Sequence, residues 1–247
     1  MAGELEGKVA LITGAVRRSG RAIAHTLARE GAAIVINTRR SREEAEAVRA
    51  ELQNAGAQAL VCIADITDEE AVGRMFEAIE ARFGGVDILV NNAADRERVK
   101  FTEMTMDQWR HIVSIILDGA FLCSRAAIPH MLKRSWGRIV NIGGASHRLP
   151  GYVGRAHAAT AKAGLEGLTR ALAMEYAQQG ITVNCVSPGR IGGERSKTSG
   201  EVPPVEIPVG YEGAPEDIAE SVCFICRPAA RFITGQNIHV NGGQVLI

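Results

Sequence analysis

The stretch "KVALITGAVRRSGRAIA" (residues 8–24) runs from an apolar segment of strand length into a glycine-bounded turn and then into a helical pattern. Gly14 and Gly20 bracket the turn, and the helical pattern that follows is rich in small residues. A helix that begins directly after such a turn presents free backbone N–H groups, which favour binding of a phosphate. This stretch therefore predicts the first strand–turn–helix unit of an α/β fold, with a phosphate-binding turn inside it.

Apolar runs of strand length alternate with helical patterns along the rest of the chain. The predicted strands cover 8–13, 32–37, 58–64, 86–91, 137–142, 181–186 and 236–240, and the predicted helices lie near 18–30, 41–55, 67–83, 106–134, 155–179 and 215–226. The strands are continuous Val/Ile runs, which indicates a sheet covered on both faces. We therefore expect an α/β fold with a doubly wound, seven-stranded parallel sheet and right-handed crossovers. No repeat or linker divides residues 1–247, which are predicted to form a single domain.

Composition limits the partners and the location of the protein. Lys+Arg and Asp+Glu both number 28, and this balance argues against a general nucleic-acid or anionic-membrane surface. The N-terminus lacks a signal-peptide pattern, and the apolar stretch "IVSIILDGAFL" is interrupted by Asp118 and short for a membrane span. Five cysteines without framework spacing suit a reducing cytoplasm, and the pair Cys223 and Cys226 is interpreted as core packing. We expect a cytoplasmic protein with no nucleic-acid or membrane partner.

The least regular part of the chain is residues 187–215, which are rich in Gly, Pro and charge. A long structureless segment in a compact domain is usually functional or mobile. This segment follows the carboxyl end of a predicted strand, the side on which open α/β sheets bind ligands. We interpret it as a substrate lid, with a disordered surface loop as the alternative.

Four motifs occur in an order and spacing that resemble the short-chain dehydrogenase/reductase family. They are "TGAVRRSG" (13–20), "NNAA" (91–94), "SPG" (187–189) and "TGQNIHVNGG" (234–243), and the resemblance covers essentially all 247 residues. The family fingerprint is TGxxxGxG, and here Arg18 stands at the middle glycine. The form TGxxxRxG is similar to that of pteridine-reductase-like members, in which a basic residue accompanies NADPH. The resemblance implies a Rossmann-type dinucleotide-binding fold.

The end of the second strand, "INTRRSREE", bears on the choice of cofactor. Thr38 stands at the place where NAD-selecting proteins carry a carboxylate for the ribose 2′-hydroxyl, and Arg39 and Arg40 follow it. A carboxylate would repel a 2′-phosphate, whereas arginine binds it well. With Arg17 and Arg18 from the first turn, up to four guanidiniums could converge there. We expect NADP(H), with a solvated basic surface as the alternative.

The resemblance implies further cofactor contacts. Asp65 matches the family aspartate that binds the adenine amino group, and Gly193 stands where the family often has a threonine. The complete predicted cofactor set is Gly14, Arg17, Arg18, Ser19, Gly20, Arg39, Arg40, Asp65, Ile66, Asn91, Ala93, Lys162, Pro188, Gly189 and Ile191.

The catalytic positions depart from the family. There, a tyrosine in YxxxK transfers the proton, while the lysine binds the nicotinamide ribose and lowers the pKa of the tyrosine. A serine and an asparagine complete the set. Lys162 matches the lysine, but counting along the sequence places Ala158, Gly144 and Ile116 at the other three positions. The resemblance therefore implies a member without the usual proton relay.

Five residues are candidate substitutes. His157 lies about 140° around a regular helix from Lys162, so one extra residue, a π-bulge or a frayed start would be needed to turn it towards the site. Ser146, with His147 beside it, could supply a donor if its loop is rearranged. Arg155 and Tyr152 are weaker candidates, and for each of these residues a surface or capping role is the alternative.

Three functions remain open at this point. The first is an NADP(H)-dependent oxidoreductase with a non-standard proton relay, acting on a small carbonyl, alcohol or enoyl substrate. The second is a cofactor-binding pseudoenzyme or regulator, and the third is a non-redox reaction in the same pocket. The resemblance also implies a homotetramer, in which helices 106–134 and 155–179 pair across one two-fold axis and residues 235–247 across another.

Overall fold

A computed structural model of the protein describes residues 3–144, 153–193 and 206–246. Seven parallel strands form one sheet in the order β3-β2-β1-β4-β5-β6-β7. The strands are β1 (Val9–Thr13), β2 (Ala33–Thr38), β3 (Ala59–Ile63), β4 (Ile88–Asn91), β5 (Gly137–Ile142), β6 (Ile181–Pro188) and β7 (Asn237–Val240). This arrangement confirms the predicted Rossmann-type α/β fold.

Helices cover both faces of the sheet. They are α1 (Arg18–Arg29), α2 (Arg42–Asn54), α3 (Glu69–Phe83), α4 (Met106–Val113), α5 (Gly119–Arg134), α6 (Ala156–Tyr176) and α7 (Pro215–Cys226). Helices α1, α2 and α7 pack against one face in a first apolar cluster. Helices α3, α5 and α6 pack against the other face in a second cluster.

The central strand β1 shows why the sheet is buried on both sides. All five of its residues are buried, and successive side chains point to opposite faces, as the pleat of a strand requires. Ala10 and Ile12 join the cluster under α1 and α7, while Val9 and Leu11 join the cluster under α3 and α5. A continuous apolar run is therefore needed, since neither face of this strand meets water.

The predicted helix at 106–134 is continuous but not uniform. A π-helical segment, Ser114–Asp118, joins α4 to α5. Its residue Ile116 is buried in a small apolar cluster with Ile112 of α4 and Leu165 of α6. The π-helical turn adds one residue to the repeat, which changes the face that the helix presents to α6 along this segment.

Within the described parts of the chain, one helix is long and apolar enough to cross a membrane by length and composition alone, Met106–Arg134. The apolar stretch "IVSIILDGAFL", which by itself is short for a membrane span, is thus part of a helix of 29 residues. Half of its most apolar portion is buried inside the fold, where α5 lies against β4 and β5. Core helices of soluble proteins have the same length and composition, and this packing accounts for its apolar side chains.

The cysteines pack as apolar side chains. All five are buried free thiols. Cys223 and Cys226 lie on α7 in the cluster that faces α1, and burial raises the pKa of both thiols.

Helix α3 begins at a side-chain cap that can be tested. The carboxylate of Asp68 accepts a hydrogen bond of 3.0 Å from the backbone N–H of Ala71. We expect Asp68→Ala to lower the free energy of unfolding by about 1 kcal/mol, since it removes this acceptor. Asp68→Asn keeps an acceptor at the same place and should cost much less. Denaturant titration of both variants measures the difference, and equal losses would contradict the capping role.

Candidate active site

The candidate site lies at the carboxyl ends of the central strands. Strand order reverses between β1 and β4, because β1 pairs with β2 on one side and with β4 on the other. Ligands of open α/β sheets bind in the crevice outside the strands at such a reversal. The turn from β1 to α1, the loop after β4 and the loop after β6 all surround this crevice.

The turn after β1 is held against the end of β4 by a close backbone approach. Gly14 has a φ of 65°, and a Cβ atom there would lie 3.1 Å from the Cα of Ala93. A Cβ at Gly20 would overlap the carbonyl oxygen of Gly14 and lie 2.6 Å from the amide of Asn92. Only glycine fits these two positions, and their lack of side chains leaves backbone N–H groups open to a ligand.

Asn92 locks this approach, a role that the sequence analysis missed. Its side-chain amide donates to the carbonyl oxygens of Thr13 at 2.9 Å and Gly14 at 3.0 Å. In return, the hydroxyl of Thr13 accepts from the backbone N–H groups of Asn92 and Ala93, both at 3.0 Å. The second asparagine of "NNAA" was the available signal, since an amide directly after a buried strand can cross-link two strand ends.

The neighbouring Asn91 turns inward and connects β4 to α6 through buried polar side chains. Its amide donates to Asn141 of β5 at 2.8 Å, and the amide of Asn141 donates to the hydroxyl of Thr169 at 2.9 Å. That hydroxyl donates to the carbonyl oxygen of Leu165 at 2.8 Å. The chain of bonds fixes α6 against the sheet. The asparagine inside the apolar run "GRIVNI" was the one available signal for it.

The end of β2 places two arginines beside Asp65. The guanidinium of Arg39 lies 3.8 Å from its carboxylate, and Thr67 donates to the same carboxylate from its backbone N–H at 3.0 Å and its hydroxyl at 2.7 Å. Burial acts to raise the pKa of Asp65, but the bonds from Thr67 and the charges of Arg39 and Arg40 lower it overall. The carboxylate therefore stays charged and keeps this corner of the crevice ordered.

The expected convergence of four guanidiniums is not observed. Arg17 pairs with Glu44 in the first turn of α2, with its Nε 2.6 Å from the carboxylate. Arg18 reaches the other way and donates to the carbonyl oxygens of Ile191 and Gly193, both at 3.1 Å. The physical reason is its backbone: Arg18 has a φ of 47°, a left-handed value that the family glycine adopts without strain. Its side chain therefore bridges to the loop after β6 instead of joining Arg39 and Arg40.

The loop after β6 is held in place as far as Gly193. A Cβ at Gly189 would lie 2.6 Å from the Cα of Asn241, and its N–H donates to Val240 at 2.9 Å. Ile191 is buried and bridges to Gly213. The first part of the predicted lid is thus an ordered wall of the crevice, while residues 194–205 lie outside the described part of the chain.

Lys162 lies in this crevice. Its ammonium donates a hydrogen bond to the carbonyl oxygen of Ile142 at the end of β5. Burial lowers the pKa of Lys162 to about 8. The interaction with Cys185 on β6 acts to raise this pKa, and the charge of Arg96 acts to lower it. Lys162 is therefore a cation placed against the carboxyl edge of the sheet.

The structure does not turn the candidate His157 towards Lys162, because α6 starts as a regular helix. Helix α6 begins at Ala156 and is α-helical through Tyr176, so His157 keeps its place about 140° from Lys162. The ring is fully buried, its Nδ1 accepts from the N–H of Ala158 at 2.8 Å, and Nε2 has no hydrogen-bond partner among the described residues. Burial lowers the pKa of His157. The charge of Glu97 and the backbone of Arg155 act to raise this pKa, and the charge of Arg155 acts to lower it.

The other sequence candidates divide into two groups. Ser146, His147 and Tyr152 lie outside the described residues. Ala158 and Ile116 pack in the apolar cluster between α4, the π-helical segment and α6. Both positions thus carry apolar side chains in contact with the core.

Comparison with known proteins identifies the class. A family model described as "Enoyl-(Acyl carrier protein) reductase" matches residues 14–244. The chain is 40% identical over 246 residues to 3-oxoacyl-[acyl-carrier-protein] reductase FabG of Aquifex aeolicus, with 98% of each protein covered. It is 39% identical to the FabG proteins of Vibrio cholerae and Escherichia coli, with 98% of this chain and 99% of each relative covered. Fold, site and comparisons thus define an oxidoreductase with a nicotinamide cofactor.

The chain belongs to the short-chain dehydrogenase/reductase family. This confirms the resemblance drawn from its four motifs.

The polar connection between β5 and α6 gives a stability prediction. Thr169→Val removes the hydroxyl that accepts from Asn141, so a buried amide loses its partner, and the free energy of unfolding should fall by about 1–3 kcal/mol. Thr182→Val is the matched control, because the buried hydroxyl of Thr182 has no hydrogen-bond partner among the described residues. Urea unfolding measures both, and a larger loss at Thr182 would contradict the proposed role of Thr169.

Proposed function

We propose that this chain is an NADP(H)-dependent reductase of a small carbonyl substrate, with a proton relay that differs from the family pattern. The observation that carries the proposal is the placement of Lys162 in the same crevice as the glycine turn and the arginines after β2. These groups come from β1, β2 and α6, so their convergence depends on the whole fold. Support for the reductase class comes from relatives that match the chain from end to end.

The residues present fit a dinucleotide with a 2′-phosphate. The turn from Gly14 to Gly20 forms a cradle that side chains would fill, and its N–H groups would hold the pyrophosphate. Arg39 and Arg40 would hold the 2′-phosphate beside Thr38, which carries no charge to repel it. Lys162 would bind the nicotinamide ribose. When bound, the reduced cofactor supplies a hydride, and this chain orients it.

The names of the relatives guide the choice of substrate. The curated relatives are reductases of 3-oxoacyl groups, and the matching family model is named for an enoyl reductase. Both kinds of acyl chain carry an electron-poor carbon at C3, which is the ketone carbon of a 3-oxoacyl group and the β-carbon of a 2-enoyl group, and such a carbon suits hydride transfer. We propose a 3-oxoacyl compound or a similar small carbonyl compound as substrate, with an enoyl compound as the alternative.

One observation favours a second function. Ala158 and Ile116 are apolar and packed in the core, so neither helix supplies the proton-transfer groups of the family at these places. A protein that binds the cofactor without turnover, as a regulator would, is compatible with this arrangement.

We also propose a cytoplasmic homotetramer. Large apolar side chains are exposed on the surfaces expected to pair, notably Phe121 on α5, Met174 on α6 and Leu246 near the C-terminus. Burial of these side chains against another copy would remove apolar area from water, which is the usual driving force of association.

The function is tested by NADPH oxidation with a panel of 3-oxoacyl, simple carbonyl and enoyl compounds. We expect turnover with at least one 3-oxoacyl or carbonyl compound, since the crevice brings the cofactor-binding groups and Lys162 together. Calorimetry with NADPH alone serves as the control. Tight NADPH binding with no turnover across the panel would favour the regulator, and no NADPH binding would contradict both functions.

Cofactor choice is tested at the end of β2. Replacing Arg39 and Arg40 together with alanine should weaken NADPH binding about tenfold or more and leave NADH binding nearly unchanged, because a charge-assisted contact contributes roughly 1.5–3 kcal/mol. Arg82→Ala, on the far end of α3, is the control and should change neither affinity. Calorimetry gives both constants. Equal affinity of the unmodified protein for NADPH and NADH would refute the proposed preference.

A further inference from the structure

Lys162 is surrounded by groups from three elements besides its own helix. Its ammonium donates to the carbonyl oxygen of Ile142 on β5. Cys185 on β6 and Arg96 in the loop after β4 interact with it electrostatically. Cys185 is buried, lies 3.8 Å from the hydroxyl of Ser187 and has a raised pKa, so its thiol is neutral and holds its proton. Among these neighbours Lys162 is the group able to release a proton near neutral pH.

The residue one turn before Lys162 has a small side chain. Side chains of an α-helix lean towards the N-terminus, so the side chain of Lys162 lies over the turn that carries Ala158. The methyl group of Ala158 packs with the cluster of Ile112 and Ile116. A tyrosine at this place would bring a phenol beside the lysine on this face of α6, whereas a methyl group brings no donor.

The other titratable side chain at the start of α6, His157, does not lie on the helix face that carries Lys162. His157 is fully buried, and its Nδ1 is occupied by the N–H of the next residue in its own helix. Glu97 and Arg155 are the charges that act on it, not Lys162. Its position about 140° around the helix keeps its ring away from the face of Lys162.

We propose that the ammonium of Lys162 is itself the proton donor to the substrate oxygen. The inference rests on the proposed function, in which the reduced nicotinamide supplies the hydride. The C=O π bond of the substrate breaks as a C–H bond forms with the hydride, and the electron pair moves to oxygen. An N–H bond of Lys162 breaks as the O–H bond of the alcohol forms, which leaves a neutral amine that takes a proton from water.

The acidity of Lys162 suits this step. An ordinary lysine has a pKa of about 10.4 and releases its proton poorly at pH 7. Burial lowers the pKa of Lys162 to about 8, close to the pH at which a general acid works best. The charged form is the donor, so carbonyl reduction should slow as the pH rises through about 8.

A first measurement is independent of turnover. The chain has five lysines, so ¹⁵N- and ¹³C-labelled lysine gives few side-chain signals, and Lys162→Arg identifies the signal of Lys162 by its loss. We expect this signal to titrate near pH 8. A Lys162 signal that does not titrate near pH 8 would overturn the inference.

The second measurement uses NADPH and acetoacetyl-CoA, a 3-oxoacyl thioester. Lys162→Arg keeps a charge but not a proton that can be released, so turnover should fall roughly 100-fold or more while NADPH still binds. Adding Ala158→Tyr to this variant should restore turnover, because a phenol then stands one turn from the cation. Adding Ala158→Phe supplies the same ring without the hydroxyl and should restore nothing.

The outcomes separate the inference from the proposed function. Full activity of Lys162→Arg, or equal rescue by Phe and Tyr at position 158, would show that another group donates the proton, although the protein is a reductase. An inactive unmodified protein would overturn the proposed function and with it the inference. If Lys162→Arg also loses NADPH binding, the pH profiles of turnover in the single variants Ala158→Tyr and Ala158→Phe decide. A higher upper pH limit in Ala158→Tyr but not in Ala158→Phe supports the inference, and equal limits contradict it.

Discussion

The close approach of the turn after β1 to the end of β4 is the constraint on which the rest of the site depends. Gly14 and Gly20 leave no room for a side chain, and the amide of Asn92 bonds to carbonyl oxygens on the β1 side of the contact. This contact sets the direction in which α1 leaves the sheet, and therefore where its first N–H groups point. It also fixes the width of the crevice at the strand reversal, where the loops after β4 and β6 meet it.

The chemistry of the site also depends on a set of buried hydrogen bonds between the sheet and α6. The chain from Asn91 through Asn141 to Thr169 is buried, and every bond in it crosses between elements or closes on the backbone of α6. These bonds favour one arrangement of their parts, since a shift would leave further buried donors or acceptors unpaired. Lys162 lies two turns before Thr169 on the same helix, so this network sets how far its side chain reaches along the edge of the sheet.

The sequence predicted the fold well because the sheet is buried on both faces. Each strand had to be a continuous apolar run, and each crossover had to contain a helix, so the strands and helices could be located along the chain. Lys162 and the glycine turn could be singled out as candidates because the family motifs that they match are local in the sequence. The direction of Arg18 could not be predicted in this way, since it follows from a positive φ at a residue other than glycine. The partners of Asn92 and Asn141 lie on other elements, and no local pattern names them. The π-helical segment at Ser114–Asp118 likewise shows no break in the sequence periodicity.

Lys162 also illustrates how a site can oppose the stability of its fold. Its pKa is about 8 in the folded protein and about 10.4 in an unfolded chain, so the unfolded chain binds more protons between these values. Stability therefore rises with pH across this window, and below it the buried charge costs roughly 3 kcal/mol, from about 1.4 kcal/mol for each pH unit. An apolar side chain in the same place would avoid this cost. The carbonyl oxygen of Ile142 offsets only part of the lost hydration, because it is one acceptor for a group with three donors. A ligand that brings hydroxyl or carbonyl oxygens to the remaining donors would be bound more strongly for that reason, so the same desolvation that weakens the fold favours occupancy of the crevice.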